Sequence, residues 1–157
     1  MHKTKHDLPE KTRTQSIAIL NARLADSIDL MHQAKQAHWM VKGPTFIALH
    51  KLFDEVFHAA VEYTDLLAER VVELGGTAEG TIHSAAKHTT LKEYPLHLVA
   101  EREHVETLSS AMAAFGAEIR QAINQADEIG DKGTEDIFTE ISRGVDKYLW
   151  FVEAHLG

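Results

Sequence analysis

His50, Asp54, Asp65 and Glu69 lie in one stretch, Thr45 to Leu74, that contains neither proline nor glycine. His50 and Asp54 are four residues apart, as are Asp65 and Glu69. On a helix each pair shares a face. Asp54 and Asp65 are eleven residues apart, about three turns with ~20° of drift, so all four side chains fall within an arc of roughly 100°. The two pairs still lie roughly 16 Å apart along a straight helix, too far for one metal centre. Their positions are symmetric, because His50 with Glu69 and Asp54 with Asp65 straddle the same midpoint between Ala59 and Ala60. If two copies of this helix cross antiparallel about a two-fold axis there, His50 and Asp54 of one chain face Glu69 and Asp65 of the other. Alanines at the crossing allow close approach, and an isologous contact creates two equivalent sites. The pattern therefore predicts a metal site between subunits. His38 is the completing ligand, placed just before a Gly43-Pro44 turn that leads back towards His50. Two imidazoles and three carboxylates form an N/O donor set fitted to Fe(II), with Zn(II) or Mn(II) as competitors. A solvated helix face would explain Asp65 and Glu69 taken alone. The shared face, the symmetry and His38 together favour the metal.

Four segments with helical periodicity must position these groups. The first spans about Thr14 to Val41, with Ile17, Leu20, Leu24, Ile28 and Met31 three or four apart, and Gly43-Pro44 breaks it. The second spans about Thr45 to Leu74 and stops at Gly75-Gly76. The third starts near Pro95, carries Val105, Leu108, Met112, Phe115 and Ile119, and ends before Gly130. The fourth starts after Gly133 with Thr134 as N-cap and carries Phe138, Ile141, Val145 and Val152. Nothing alternates with period two. The expected fold is all-α: a four-helix bundle whose central connection, Thr77 to Tyr94, is a long crossover with one short helix near Ile82–Lys87. That topology is ferritin-like. The expected division is an N-terminal arm over residues 1–14 and a bundle domain over 15–157.

Composition narrows the chemistry. The 157 residues contain no cysteine, which excludes disulfides, thiolate metal sites and cysteine nucleophiles. No apolar run reaches the roughly 18 residues of a membrane span. The polar start, Met1 to Gln15, lacks the apolar stretch of a secretory signal. A cytoplasmic protein with no membrane partner is expected. Sixteen basic against 24 acidic residues give a net charge of −8, which does not attract nucleic acid.

The segment from His38-Trp39 through Gly43-Pro44, Phe46, His50 and Asp54 closely resembles the Dps family of bacterial miniferritins. Asp65-Leu66-Leu67-Ala68-Glu69-Arg70, Gly75-Gly76 and the stretch from Asp136-Ile137-Phe138 through Ser142-Arg143, Asp146-Lys147, Leu149-Trp150-Phe151 and Glu153 also match. The resemblance covers residues 15 to 156. It implies a ferroxidase site at a two-fold interface, on positions that match His38, His50, Asp54, Asp65 and Glu69 with none substituted. It implies an iron-storing, hollow homo-dodecamer that oxidises Fe(II), with hydrogen peroxide in preference to dioxygen. Two iron ions occupy or transiently share each site. Trp39 is then either an electron donor to stray oxidants or a packing residue beside the ligands. Asp127, Asp131 and Asp136 match a region that lines acidic three-fold pores in that family; as turn and cap residues they have an equally ordinary explanation.

Other features are expected to lie outside the site. Glu101-Arg102-Glu103-His104 contains one Glu-x-x-His, the motif that bundle-centre di-iron proteins use twice, so Glu101 and His104 are expected at the surface. His58 falls outside the proposed ligand set and is expected at the interface or the surface. A rival function is nucleoid binding and DNA protection, with a secondary or zinc-filled metal site. The arm's Lys3, Lys5, Lys11 and Arg13 against Asp7 and Glu10 leave only two excess positive charges, while a dodecamer would carry roughly −96 overall.

Overall fold

The computed structural model describes residues 1–157. It holds five helices and no strand: α1 Glu10–Met40, α2 Phe46–Glu73, α3 Ile82–His88, α4 Glu101–Glu128 and α5 Lys132–Glu153. α1 packs on α2 and α4 on α5, and the two hairpins meet through α1–α4 and α2–α5 contacts. One continuous cluster of 29 buried apolar residues runs through all five helices and the crossover. On α2 the buried stripe is Leu49, Leu52, Phe53, Val56, Ala60, Leu67 and Val71, the three-and-four spacing of a helix with one face on a core. The bundle with its long crossover and single short helix is as expected.

The crossover is tied to α1 by polar groups. Asp26, fully buried, accepts hydrogen bonds from the Thr90 amide at 2.7 Å and the Thr90 hydroxyl at 3.0 Å. Asp29 accepts from the Thr89 hydroxyl at 2.8 Å. Thr81 caps α3 by accepting from the Ser84 amide. α1 is thus covered on two sides, which is why Arg23, Asp26 and Ser27 are buried within it.

Three helix starts differ from the sequence expectation. α1 begins at Glu10, so the arm outside the helix is shorter than residues 1–14. α4 begins at Glu101 rather than near Pro95, because Glu103 takes the free amides of Val99 (3.1 Å) and Ala100 (2.9 Å). α5 begins at Lys132, with Asp131 and not Thr134 as N-cap.

Asp131 is 1% exposed and joins three helices. It accepts from the Ser16 hydroxyl at 2.7 Å, the Thr134 hydroxyl at 2.7 Å, the Thr134 amide at 3.1 Å and the Arg70 guanidinium at 2.9 Å. Burial pushes its carboxyl up, but the Ser16 and Thr134 hydrogen bonds and the Arg70 charge outweigh that, leaving it below its ordinary value. A carboxyl depressed in the folded state contributes stability above its unfolded pKa. That contribution is lost as pH falls through the folded value. Asp131→Asn should therefore cost about 3 kcal/mol of unfolding free energy at pH 7 and less near pH 3. Urea titrations at the two pH values check this, and an equal loss at both would refute the charge's role.

Candidate metal centre

The α1–α2 turn brings His38 and His50 together. Gly43 has φ 148°, a conformation that L side chains rarely adopt, and the Glu101 side chain packs directly against it. Glu101 accepts from the Thr45 amide at 3.2 Å and its hydroxyl at 3.1 Å, which fastens the turn to the start of α4. Across the turn the two histidines bond reciprocally. His38 Nδ1 lies 2.7 Å from the His50 carbonyl, and His50 Nδ1 lies 2.9 Å from the His38 carbonyl. A carbonyl only accepts, so each Nδ1 must carry the hydrogen. In the neutral rings the lone pair is then left on Nε2, the form a metal ligand needs. The rings stack with centroids 3.7 Å apart, and Phe46 packs on the other side of His50 at 5.1 Å.

Asp54, one turn after His50, comes within 3.9 Å of His38 Nδ1. Its carboxylate also accepts a short hydrogen bond from Lys35. That bond, ahead of the lysine's charge, holds the Asp54 carboxyl below its ordinary value. Lys35 was not anticipated from the sequence. The signal was its i,i+3 spacing from His38 on α1, which puts both over the same part of α2. The Lys35 ammonium also sits 4.6 Å above the Phe57 ring. His58 is mostly exposed and lies 3.6 Å from Asp54.

Asp65 and Glu69 are exposed on α2, on the side turned away from its buried stripe. Arg70, next to Glu69, is committed to Glu73 and Asp131 instead. Within one chain no three His, Asp or Glu side chains gather into a group able to hold a metal. His38 and His50 come together, and Asp54 approaches only the Nδ1 edge of His38; Asp65 and Glu69 do not join them. The alanine crossing needs correction. Ala60 is fully buried in the core, because at 100° per residue the midpoint positions point away from the candidate arc. The exposed residues that bracket the midpoint are His58 and Val61. Beside them runs a groove lined by Met31, Val61, Thr64, Asp65, Leu66 and Ala68.

Trp39 is 64% exposed and does not pack on the two imidazoles; it lines a separate groove with His32, Gln36 and Tyr94. Asp131, sealed inside the fold, is unsuited to a pore wall. Its burial follows from its capping role. Asp127 and Asp136 are exposed, with Asp127 paired to Lys132. Glu101 and His104 are not surface residues as expected. Glu101 clamps the turn, and His104 is 1% exposed.

Residues 17–157 match the model of the ferritin-like domain family, which makes the chain a ferritin-like protein. Its relatives narrow the class. It is 46% identical over 155 residues to the DNA protection during starvation protein of Agrobacterium fabrum, covering 99% of this chain and 96% of that one. The protein of that name from Brevibacillus brevis is 32% identical, covering 93% and 99%. Among solved structures it is similar to the Dps of Microbacterium arborescens in its high-iron form (TM-score 0.89, 33% identity, 98% and 99% covered). DpsC of Streptomyces coelicolor superposes with TM-score 0.94 at 33% identity, covering 99% and 91%. The chain belongs to the Dps family.

Lys35 occupies the Asp54 carboxylate, so it would compete with a cation if Asp54 is a ligand. Lys35→Met should tighten Co(II) binding by up to about fivefold, the equivalent of the ~1 kcal/mol of a partly exposed ion pair. Titration calorimetry checks this, and unchanged or weaker binding would show that the lysine does not compete.

Proposed function

We propose that the protein oxidises Fe(II) at sites shared between subunits and stores the Fe(III) product as mineral in a hollow dodecamer. The observation that carries this is the reciprocal imidazole–carbonyl pair. It leaves Nε2 of both rings unbonded, with Asp54 3.9 Å from His38 Nδ1, while Asp65 and Glu69 are exposed on the same helix and form no ion pair in their own chain. Each site would combine His38, His50 and Asp54 with the partner's Asp65 and the partner's Glu69. The exposed Val61 and the apolar groove beside Asp65 offer a surface for that partner. Iron is the substrate here, and the donors suit its turnover. Imidazole favours Fe(II), and carboxylates hold hard Fe(III) without the permanence of thiolates.

Hydrogen peroxide is the oxidant the reading favours. Two Fe(II) ions each give one electron to one peroxide, and with two protons this yields two Fe(III) ions and two waters. No hydroxyl radical leaves when both electrons are delivered together. Hydrolysis of Fe(III) to mineral then releases protons to the solvent. Dioxygen is the slower oxidant, and Zn(II) or Mn(II) would occupy the same donors. Exposed Asp127 and Asp136 lie near the α4–α5 turn, where an acidic entrance would concentrate Fe(II) by its field.

The test adds stoichiometric peroxide to apo-protein loaded anaerobically with Fe(II), with an air-only control. Fast ferric absorbance with iron kept in solution is expected, slow in air. His50→Ala with Asp54→Ala should reduce the rate at least about a hundredfold towards that of buffer while leaving the assembly unchanged by light scattering. Peroxide-driven kinetics equal to the parent in that double variant would overturn the site.

A second reading, DNA protection, is favoured by Lys3, Lys5 and Lys11, which are exposed, and by the names of the relatives. The structure around the arm weighs against it. The His2 amide bonds the Gly75 carbonyl at 2.8 Å. Arg13 is spent on the carbonyls of Leu8 (3.1 Å) and Leu74 (3.0 Å). An arm fastened at both ends follows a phosphate backbone poorly, and its charge excess is small. The expected result is no gel shift of linear DNA at near-physiological salt. A salt-dependent shift that disappears when residues 1–8 are deleted would establish the second reading.

A further inference from the structure

The iron site leaves one buried polar pair without a task. Tyr94, 7% exposed at the end of the crossover, has its hydroxyl 2.7 Å from Nδ1 of His104, which is 1% exposed on α4. The rings lie nearly parallel, 20° apart with centroids at 6.2 Å. Nε2 of His104 is buried and has no hydrogen-bond partner. A buried, unpaired ring nitrogen is uncommon, and a redox role is one explanation for such a group. The protein has two other tyrosines, and neither has an imidazole beside its hydroxyl. Tyr63 rests its hydroxyl against Gly144, and Tyr148 packs edge-on against Phe151 at 5.9 Å.

The chemistry of the pair follows from where it sits. Burial pushes the Tyr94 phenol above its ordinary value, so the phenolate is not populated at neutral pH. A phenol that loses an electron becomes a strong acid. A buried one is therefore readily oxidised only where a neighbouring base takes the proton. Burial holds His104 below its ordinary value, which leaves it neutral and able to accept. The charge of Glu103 favours the charged ring once it forms. Tyr94 also lines the groove that holds the exposed Trp39, the residue after His38. An oxidant generated near that end of α1 would therefore meet this face of the molecule.

We propose that Tyr94 and His104 form a redox-active pair that absorbs one-electron oxidants of the hydroxyl-radical class. In the step, one electron passes from the phenol to the radical, which becomes hydroxide. The Tyr94 O–H bond breaks, and its proton moves to Nδ1 of His104. The products are a neutral tyrosyl radical, an imidazolium and hydroxide. The oxidising equivalent is then held in the interior on a hydrogen-bonded ring. The pair requires no iron, so it stands independently of the ferroxidase reading.

The test uses the metal-free full-length protein and photogenerated tris(bipyridine)ruthenium(III), followed by freeze-quench electron paramagnetic resonance. In the Tyr63→Phe/Tyr148→Phe double variant, Tyr94 is the sole tyrosine. A tyrosyl signal is expected there and should be lost when His104→Gln is added, because glutamine accepts a hydrogen bond but does not hold the proton. High-field spectra of the double variant alone make the same point should His104→Gln fold poorly. A radical bonded to imidazolium carries an exchangeable proton coupling that D2O removes. No tyrosyl signal in the double variant, an undiminished signal with His104→Gln, or a radical without the exchangeable coupling would each overturn the proposal.

Discussion

Two hydrogen bonds across one turn, from each imidazole of His38 and His50 to the other residue's carbonyl, govern the geometry of the α1–α2 end of the bundle. They join side chain to main chain in both directions, so neither ring rotates without breaking a bond that also holds the opposite helix. The bonds settle the tautomer and fix the rings relative to Asp54. The bond from His50 also satisfies the His38 carbonyl, one of the last four of α1, which would otherwise need water. Glu101 braces the same turn from α4, through Thr45 and by packing directly against Gly43. Local stability and donor orientation thus rest on the same atoms.

The rest of α2 has a different constraint. A straight helix of 28 residues carries the carboxylates of Asp65 and Glu69 far beyond reach of the two imidazoles, and no bend in the chain returns them. On the proposed reading the two halves of the site stand towards opposite ends of α2, and the fold holds each of them. The buried Asp131–Arg70 pair does this for the distal half. It engages the only guanidinium close in sequence to Glu69, which both anchors the helix to α5 and keeps that cation off the ligands. At the proximal half the arrangement is the opposite, since Lys35 is placed directly on Asp54.

The sequence carried the bundle, the crossover and the return of His50 towards His38 across the Gly43-Pro44 turn, because these depend on helical periodicity and on where a turn must fall. The ends of α4 and α5 were not legible. Pro95 and Thr134 are good starting residues in isolation, but the actual starts are set by the side chains of Glu103 and Asp131 reaching free amides. The same limit applies to Asp131, which a charge count places in an acidic pore and the fold places in the core. His104 gives the converse case. A Glu-x-x-His on an otherwise polar turn of α4 gives no sign that the crossover brings a tyrosine to cover it. Lys35 was visible only in hindsight, since a lysine at i,i+3 from a ligand is ordinary until the facing carboxylate is known.

Asp65 and Glu69 show what the arrangement costs. Two carboxylates, four residues apart on one exposed helix face and without a cation, repel each other and weaken the isolated helix by a few tenths of a kcal/mol. A lysine at either neighbouring turn would relieve that cheaply. The chain instead places Arg70 on the Asp131 side of the helix and leaves Ala68 and Val61 beside the acids. A surface kept apolar and uncompensated in this way is unfavourable for a lone chain. On the proposed function it would become favourable once a second copy covered the apolar residues and a divalent cation supplied the missing charge. Assembly and metal binding would then stabilise each other, since each would remove a penalty that the folded monomer retains.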